Sequence, residues 1–192
     1  MELVLDLNKR YSYADYLSWA DDKMRELIDG FIKKMSPAAS PRHQEVSILL
    51  ASEFLHHIKK NKGKCKVFHA PFDVRLPVNG ERENDKIYNV VQPDICIVCD
   101  LSKIDKRGSL GAPDLIVEIQ SASTAKYDLT KKFDLYEASG VREYWVVFPY
   151  DEVIEVFLLQ PDGKYDAGTA YEEGKIPVNI FNGYEIDINE IF

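Results

Sequence analysis

The stretch Asp114-Leu115-Ile116-Val117-Glu118-Ile119-Gln120-Ser121 has the pattern of a buried strand with one carboxylate, that of Glu118, at its centre. Removing water from a charged side chain is so costly that a buried acid is usually paired with a cation or binds a metal ion. We therefore expect Glu118 to have a partner elsewhere in the chain.

A second acid, Asp94, opens an earlier strand pattern that runs from residue 92 to residue 100, and a helical pattern rich in lysine follows Ser121. Two acids from neighbouring strands and a nearby ammonium group suit metal-assisted hydrolysis of a phosphodiester. The acids would bind Mg²⁺, and the ammonium group would meet the attacking water or the phosphoryl charge. The sequence thus predicts a metal site formed by Asp94 and Glu118.

Asp114 is a poorer candidate for this site, because it lies on the same strand as Glu118. At about 3.3 Å per residue, the two acids would be about 13 Å apart and could not share one ion. A main-chain carbonyl, that of Ile119 or Gln120, would complete the ligand set together with waters. Two alternatives stay open: Asp94 is a turn residue that begins a strand, or Glu118 is an acid paired structurally with Lys or Arg.

The chain has 192 residues, 45% of them hydrophobic and 29% charged, which suits one domain over residues 1–192. It contains no apolar run long enough to span a membrane, and residues 1–6 lack the features of a signal peptide, so we predict a cytoplasmic location. The net charge of −8 argues against avid, nonspecific binding of nucleic acid. A bound metal ion would lower the negative field locally.

The three cysteines are Cys65, Cys96 and Cys99. Cys96 and Cys99 have CxxC spacing, but on a strand they point to opposite faces, and neither a second CxxC nor a nearby His pair accompanies them. Zinc is therefore not expected. The sequence predicts three buried thiols in a reducing compartment.

Periodicity and turn residues predict an α/β fold with a mixed central β-sheet flanked by helices. Asp29-Gly30 predicts an N-terminal β-hairpin, and Asn182-Gly183 predicts a turn between short strands near the C-terminus. The other predicted elements are a short helix capped by Ser12, a long helix from Pro41 that ends by Gly63, a strand at 64–76, a polar loop at 102–111, a helix at 124–139 capped by Gly140, and a hairpin of strands at 141–148 and 153–159.

Several short motifs in this order resemble the Uma-two family, described as "putative restriction endonuclease", a branch of the PD-(D/E)XK nuclease superfamily. The resemblance extends from about residue 11 to the C-terminus. The motifs are Glu26-Leu27-Ile28-Asp29-Gly30, Ser40-Pro41-Arg42-His43, Gln92-Pro93-Asp94, Ala112-Pro113-Asp114-Leu115-Ile116-Val117-Glu118, Ser121-Ala122-Ser123-Thr124, Asp128 with Lys132 and Tyr136, and Gly140-Val141-Arg142-Glu143-Tyr144-Trp145.

The resemblance implies a restriction endonuclease-like core, with a divalent metal ion (Mg²⁺ or Mn²⁺) bound where two strands separate. By position, Asp94 is similar to the acid of the superfamily's Pro-Asp motif, and Glu118 to its second acid. Gln120 stands where the superfamily has a lysine. In this family the lysine has moved to the following helix, which makes Lys132 the candidate and Lys131 its neighbour.

Three further residues complete the predicted site. Glu26 matches the family's early acid and would orient the site or bind a second ion, although a surface acid is the alternative. His43, at the start of the long helix, would contact a phosphate or simply pack. Gln120 can hydrogen-bond a water or a phosphate but supplies no charge.

The resulting hypothesis is a Mg²⁺-dependent DNA endonuclease that cleaves phosphodiesters through an activated water. A homodimer is expected, because a compact nuclease must reach two strands. One alternative is a catalytically silent binding or scaffold domain of the same fold, favoured by the acidic balance and by the missing lysine. Another is a nuclease that acts on RNA or on DNA ends.

Overall fold

The computed structural model describes residues 4–19, 21, 23–35, 39–77, 80–121 and 128–192. The described strands are β1 (Arg25–Ile28), β2 (Phe31–Lys34), β3 (Lys66–His69), β4 (Val74–Arg75), β5 (Val90–Val91), β6 (Ile95–Val98), β7 (Ile104–Asp105), β8 (Gly108–Leu110), β9 (Leu115–Ile119), β10 (Glu143–Phe148), β11 (Val153–Leu158), β12 (Thr169–Tyr171), β13 (Lys175–Pro177) and β14 (Glu185–Asp187).

The described helices are α1 (Tyr13–Tyr16), α2 (Pro41–Lys60) and α3 (Phe133–Ser139). A π-helical segment, Asp128–Lys132, leads directly into α3, and short 3₁₀ turns occur at Asn84–Lys86, Leu101–Lys103 and Ile188–Glu190. Among the described residues, none of the helices has the length and hydrophobicity that a membrane span requires.

The central sheet has the strand order β12-β11-β10-β9-β6-β3. Strands β9 and β10 are parallel, and the other neighbours are antiparallel, which confirms the predicted mixed sheet. In β6 and β9, Ile95 lies opposite Val117. Continuing this register by one residue places Asp94 opposite Glu118, so the two predicted metal ligands start from adjacent backbone positions.

Helices cover both faces of this sheet, as predicted. Helix α2 begins where expected: the Ser40 hydroxyl accepts a hydrogen bond from the main-chain N–H of His43, and Pro41 occupies the first turn. Its buried side chains include Leu50 and Phe54, which join the apolar core on one face. Tyr136 of α3 belongs to the core on the opposite face.

A second six-stranded sheet, with the order β2-β1-β5-β4-β8-β7, was not predicted. The predicted strand at 64–76 is divided between the two sheets, β3 in one and β4 in the other. Pro71 lies between them and cannot donate to a β-ladder. The predicted polar loop at 102–111 is wrong, because it contains the antiparallel pair β7–β8, and β8 also pairs with β4.

The local turn signals were accurate. Asp29 and Gly30, both with positive φ, connect β1 to β2, and β13 pairs with β14 near the C-terminus, which confirms both terminal hairpins. Helix α3 ends at Ser139 and is capped by Gly140, as predicted, with a φ of 82° that suits glycine. The first residues of the helix predicted at 124–139, including Thr124, lie outside the described residues.

The prediction of three buried thiols is wrong for two of the cysteines. Cys65 and Cys99 form a disulfide, while Cys96 is a buried free cysteine. Strands β3 and β6 pair with Lys66 opposite Val98, so the same register brings Cys65 opposite Cys99. Sequence spacing could not reveal this pair, because it depends on the register of two strands far apart in the chain.

Candidate active site

Asp94 and Glu118 sit at the edge where β6 begins and β9 ends. Asp94 is held by the main chain of β9, because its Oδ2 accepts a hydrogen bond of 2.7 Å from the N–H of Ile119. Glu118 is only 4% exposed. Directly opposite residues of an antiparallel pair have Cβ atoms about 5 Å apart, so both carboxylates can reach one small ion.

The buried cation beside Glu118 is Lys132. Its Nζ lies 2.9 Å from Glu118 Oε1 and 2.9 Å from Glu26 Oε1, and its side chain is 6% exposed. Lys131 is exposed. Of the two lysines that end the π-helical segment, Lys132 therefore contacts Glu118 and Glu26, while Lys131 does not face them. An ion pair between Asp128 and Lys132 would involve the Asp128 side chain, which lies outside the described ones.

Tyr136, which the sequence suggested was a core aromatic residue, also binds Glu118. Its hydroxyl donates a hydrogen bond of 2.6 Å to Glu118 Oε1. Burial raises the pKa of Tyr136 well above its ordinary value, and the charges of Glu118 and Glu26 raise it further, so the phenol stays a donor. The helical spacing of Lys132 and Tyr136, four residues apart, was the signal that could have identified this residue.

His43 reaches Asp94 from the opposite side, at the start of α2. Its Nε2 lies 3.2 Å from Asp94 Oδ1. Burial alone would lower the pKa of His43, but the hydrogen bond and the charge of Asp94 outweigh it, and the net pKa is raised. The structure thus places His43 against a predicted metal ligand rather than in isolated packing.

Glu26 connects the second sheet to this site. Besides Lys132, its Oε1 accepts a hydrogen bond of 2.9 Å from the main-chain N–H of Gln92. Glu26 is 3% exposed, so the alternative of a surface acid is wrong. Asp114, by contrast, accepts hydrogen bonds from Cys99 and Arg142 and takes no part in the site.

Buried side-chain polar atoms without a hydrogen-bond partner, as far as the described residues show, gather around this site. They are His43 Nδ1, Gln92 Oε1, and both Oε1 and Nε2 of Gln120. Leaving such an atom unsatisfied costs about 1–3 kcal/mol, which favours a role in binding waters or a ligand. Gln92 was not predicted, although a polar residue two positions before Asp94 was a signal for it.

The residues fit a hydrated divalent cation. The formal charges of Asp94, Glu118 and Glu26 exceed those of Lys132 and a protonated His43 by one negative charge. Within the described ranges, no group of three or more His, Cys, Asp or Glu residues is arranged to hold a metal ion, so any cation here would depend on Asp94, Glu118 and its own waters. Mg²⁺ is usually bound through one or two carboxylates and keeps several of its waters, which two acids such as Asp94 and Glu118 would allow.

Comparisons with known proteins agree with this architecture. Residues 13–189 match the model of the Uma2 family, described as "putative restriction endonuclease". A protein of Synechocystis sp. (strain ATCC 27184 / PCC 6803 / Kazusa), described as uncharacterized, is 26% identical over 159 residues, which are 81% of this chain and 78% of that protein.

The crystal structure of a protein from Anabaena variabilis ATCC 29413, described as "a putative nuclease belonging to DUF820", has a similar fold. The TM-score is 0.70 at 18% identity, and the match covers 94% of this chain and 97% of the other. This likeness shows the fold, while the family match extends over nearly the whole chain. The chain belongs to the Uma2 family, whose description is "putative restriction endonuclease".

Proposed function

We propose that this protein is a metal-dependent DNA endonuclease, in which Asp94 and Glu118 bind Mg²⁺ or Mn²⁺. When bound, the cation would lower the pKa of a water and neutralise charge on the phosphate. Side chains around the cation would hold the substrate phosphate in the orientation that in-line attack by this water requires.

One observation carries the proposal: a buried ammonium group from the helix after β9 lies 2.9 Å from Glu118, which is itself opposite Asp94. The Lys132 ammonium group would therefore take the role of a lysine at the position of Gln120, two residues after Glu118. A charged group is costly to bury, so its placement between two acids, Glu118 and Glu26, favours a role in charge stabilisation during the reaction.

The remaining residues have supporting roles. Glu26 would hold Lys132 in position through their ion pair. His43 would fix Asp94 through its Nε2 and add a positive charge near the phosphate when protonated. Gln120, with both amide atoms unpartnered, would hydrogen-bond the attacking water or the phosphate.

The test is cleavage of supercoiled plasmid DNA by purified protein with Mg²⁺ or Mn²⁺, compared with Glu118→Ala. We expect nicking that requires the cation, is abolished by a chelator and falls at least about 100-fold in the variant, because a direct ligand matters more than its supports. Glu185→Ala, which removes an exposed acid from β14, is the matched control and should cleave like the wild type.

Equal nicking by Glu118→Ala would indicate a contaminating nuclease. No cation-dependent cleavage of plasmid DNA, linear DNA or RNA would overturn the proposal in favour of a silent binding domain. Cleavage of RNA alone, or of DNA ends alone, would change the proposed substrate and leave the proposed metal site unchanged. The homodimer and the cytoplasmic location stay predictions.

A further inference from the structure

We propose that Gln92 is a positioning residue for the cation: its side-chain oxygen accepts a hydrogen bond from a water of the cation's hydration shell. This inference rests on the proposed function, because it assumes a divalent cation at Asp94 and Glu118. It adds a residue, Gln92, and a supporting acid, Asp73, that the proposed mechanism does not use.

The orientation of the Gln92 amide is fixed by its neighbours. Its Nε2 donates to Asp73 Oδ1 at 2.8 Å and lies 3.4 Å from the hydroxyl oxygen of Tyr16. A carboxylate can only accept, and the Tyr16 hydroxyl already donates to the carbonyl of Arg25. The reversed amide would therefore set its oxygen against two acceptors, so the NH₂ group must face Asp73 and Oε1 must face away.

Asp73 is itself held in place. Its Oδ2 accepts a hydrogen bond of 3.2 Å from the Tyr13 hydroxyl, and its main-chain carbonyl accepts one of 2.8 Å from Ser109. Burial and the charge of Asp73 raise the pKa of Tyr13, which therefore remains a donor. The acid that orients Gln92 thus has a defined position of its own.

Gln92 is also attached to the site through its main chain. Its N–H donates to the Glu26 oxygen that pairs with Lys132, and Asp94 follows two residues later. Gln92 is 7% exposed, and its Oε1 is buried without a partner among the described residues. Gln92 Oε1 is therefore an oriented acceptor that needs a donor, on a residue whose main chain borders the site.

Because Gln92 Oε1 can only accept a hydrogen bond, its ligand must be a donor. A phosphate diester offers only acceptors, so it cannot satisfy Gln92 Oε1. The waters around a divalent cation are good donors, and Mg²⁺ retains several of them in protein sites. A buried water with no cation would also donate, and the experiment below separates these two cases.

The experiment measures Mn²⁺ binding by isothermal titration calorimetry without DNA, which does not depend on cleavage. We expect Gln92→Leu to bind Mn²⁺ about 10-fold or more weakly than the wild type, as is typical when a hydrogen-bonding support of a metal site is removed. The matched control is Gln160→Leu, which alters an exposed glutamine and should leave the affinity unchanged.

Asp73→Asn supplies a second, nearly isosteric test. The Tyr13 hydroxyl donates to the Oδ2 position, so the asparagine should keep its oxygen towards Tyr13 and direct its NH₂ group to Gln92 Oε1, which reverses the Gln92 amide and removes the unpartnered acceptor. We expect a similar loss of Mn²⁺ affinity. In the Gln92→Leu background the same change should have little further effect, because Asp73 acts through Gln92.

The possible outcomes distinguish this inference from the proposed function. Wild-type affinity in Gln92→Leu, with the circular dichroism spectrum of the folded wild type, would mean that only a structural water meets Gln92 and would overturn this inference alone. An equal loss from Asp73→Asn with and without Gln92 would overturn the orienting role. A wild type that binds no Mn²⁺ would overturn both proposals.

Discussion

Glu118 and Glu143 are two buried carboxylates on neighbouring parallel strands of the central sheet, β9 and β10, yet their surroundings differ. Glu118 contacts the ammonium of Lys132 and the hydroxyl of Tyr136. Glu143 is fully buried, and among the described residues its hydrogen-bond donors are all neutral: the Trp145 indole, the side-chain amide of Asn179, and the main-chain N–H groups of Asn179 and Ile180.

Burial alone therefore does not distinguish the acid proposed to bind the cation from a structural one. Glu143 faces the core beneath α2, and its hydrogen bonds attach the segment around Asn179 to the sheet, so its role is explained by the fold. Glu118 faces the other side, where a second acid lies opposite and Gln120 has unsatisfied polar atoms. A cationic partner and unfilled hydrogen-bonding capacity nearby distinguish Glu118, the acid proposed to bind the cation, from Glu143.

The strongest test of this contrast is to remove the cation beside Glu118. Lys132→Met would leave the Glu118 and Glu26 carboxylates buried without their ammonium. We expect the free energy of unfolding to fall by about 3–5 kcal/mol, the usual cost of breaking a buried ion pair from one side. Chemical denaturation followed by circular dichroism measures it.

The adjacent residue provides the control for this prediction. Lys131→Met changes an exposed side chain, so its effect on the free energy of unfolding should stay within about 0.5 kcal/mol. Equal stability of the two variants would show that Lys132 does not neutralise Glu118 in solution, and the contrast between the two acids would lose its basis.

A smaller effect is expected at the other acid. Glu143→Ala leaves the Trp145 indole and the main-chain N–H groups of Asn179 and Ile180 without their acceptor. We expect the free energy of unfolding to fall by about 2–3 kcal/mol, less than for Lys132→Met, because the loss of these hydrogen bonds to neutral groups is partly offset by removing the cost of burying the Glu143 carboxylate. At a temperature where the variant is folded, its cation-dependent cleavage rate should equal that of the wild type.

Loss of cleavage in folded Glu143→Ala would contradict the distinction, because it would give the neutral-donor acid a role in the reaction. Glu143→Gln separates shape from charge: it keeps one acceptor oxygen, so it should be more stable than Glu143→Ala. A glutamine variant no more stable than the alanine variant would mean that the donors of Glu143 are satisfied in some other way.

Local sequence signals predicted much of this arrangement. The apolar strand with one acid indicated β9, Asp29-Gly30 indicated the first hairpin, and Ser40-Pro41 indicated the start of α2. The geometric argument that separated Asp94 from Asp114 also agrees with the structure, since only Asp94 lies opposite Glu118. These features depend on a few consecutive residues or on strand spacing, which the sequence contains.

Features that depend on long-range register could not be predicted. The Cys65–Cys99 disulfide requires the pairing of β3 with β6, and the second sheet requires β4 to pair with β5 and β8. The same applies to the donors of Glu143, because Asn179 and Ile180 come from the C-terminal segment. From sequence alone, Glu118 and Glu143 are both acids within apolar strands, and only their distant partners distinguish them.

The smallest predicted effect is the pH dependence contributed by Glu143. Burial raises its pKa above the ordinary 4.5, against the opposing effect of hydrogen bonds from Trp145, Asn179 and Ile180. The folded protein therefore binds this proton more tightly than the unfolded chain, and stability from this group is complete below 4.5 and is lost as pH rises through the folded pKa.

The measurement compares the free energy of unfolding of the wild type with that of Glu143→Gln across this pH range, so that the other carboxylates, common to both proteins, cancel. We expect the wild type to gain stability relative to the variant as pH falls from 7 towards 4.5. A relative loss would mean that the neutral donors favour the charged form more than burial opposes it. Glu143 would then be a carboxylate whose charged form the fold stabilises. Only the neighbouring Asp94 and the unsatisfied amide of Gln120 would then distinguish Glu118 from it.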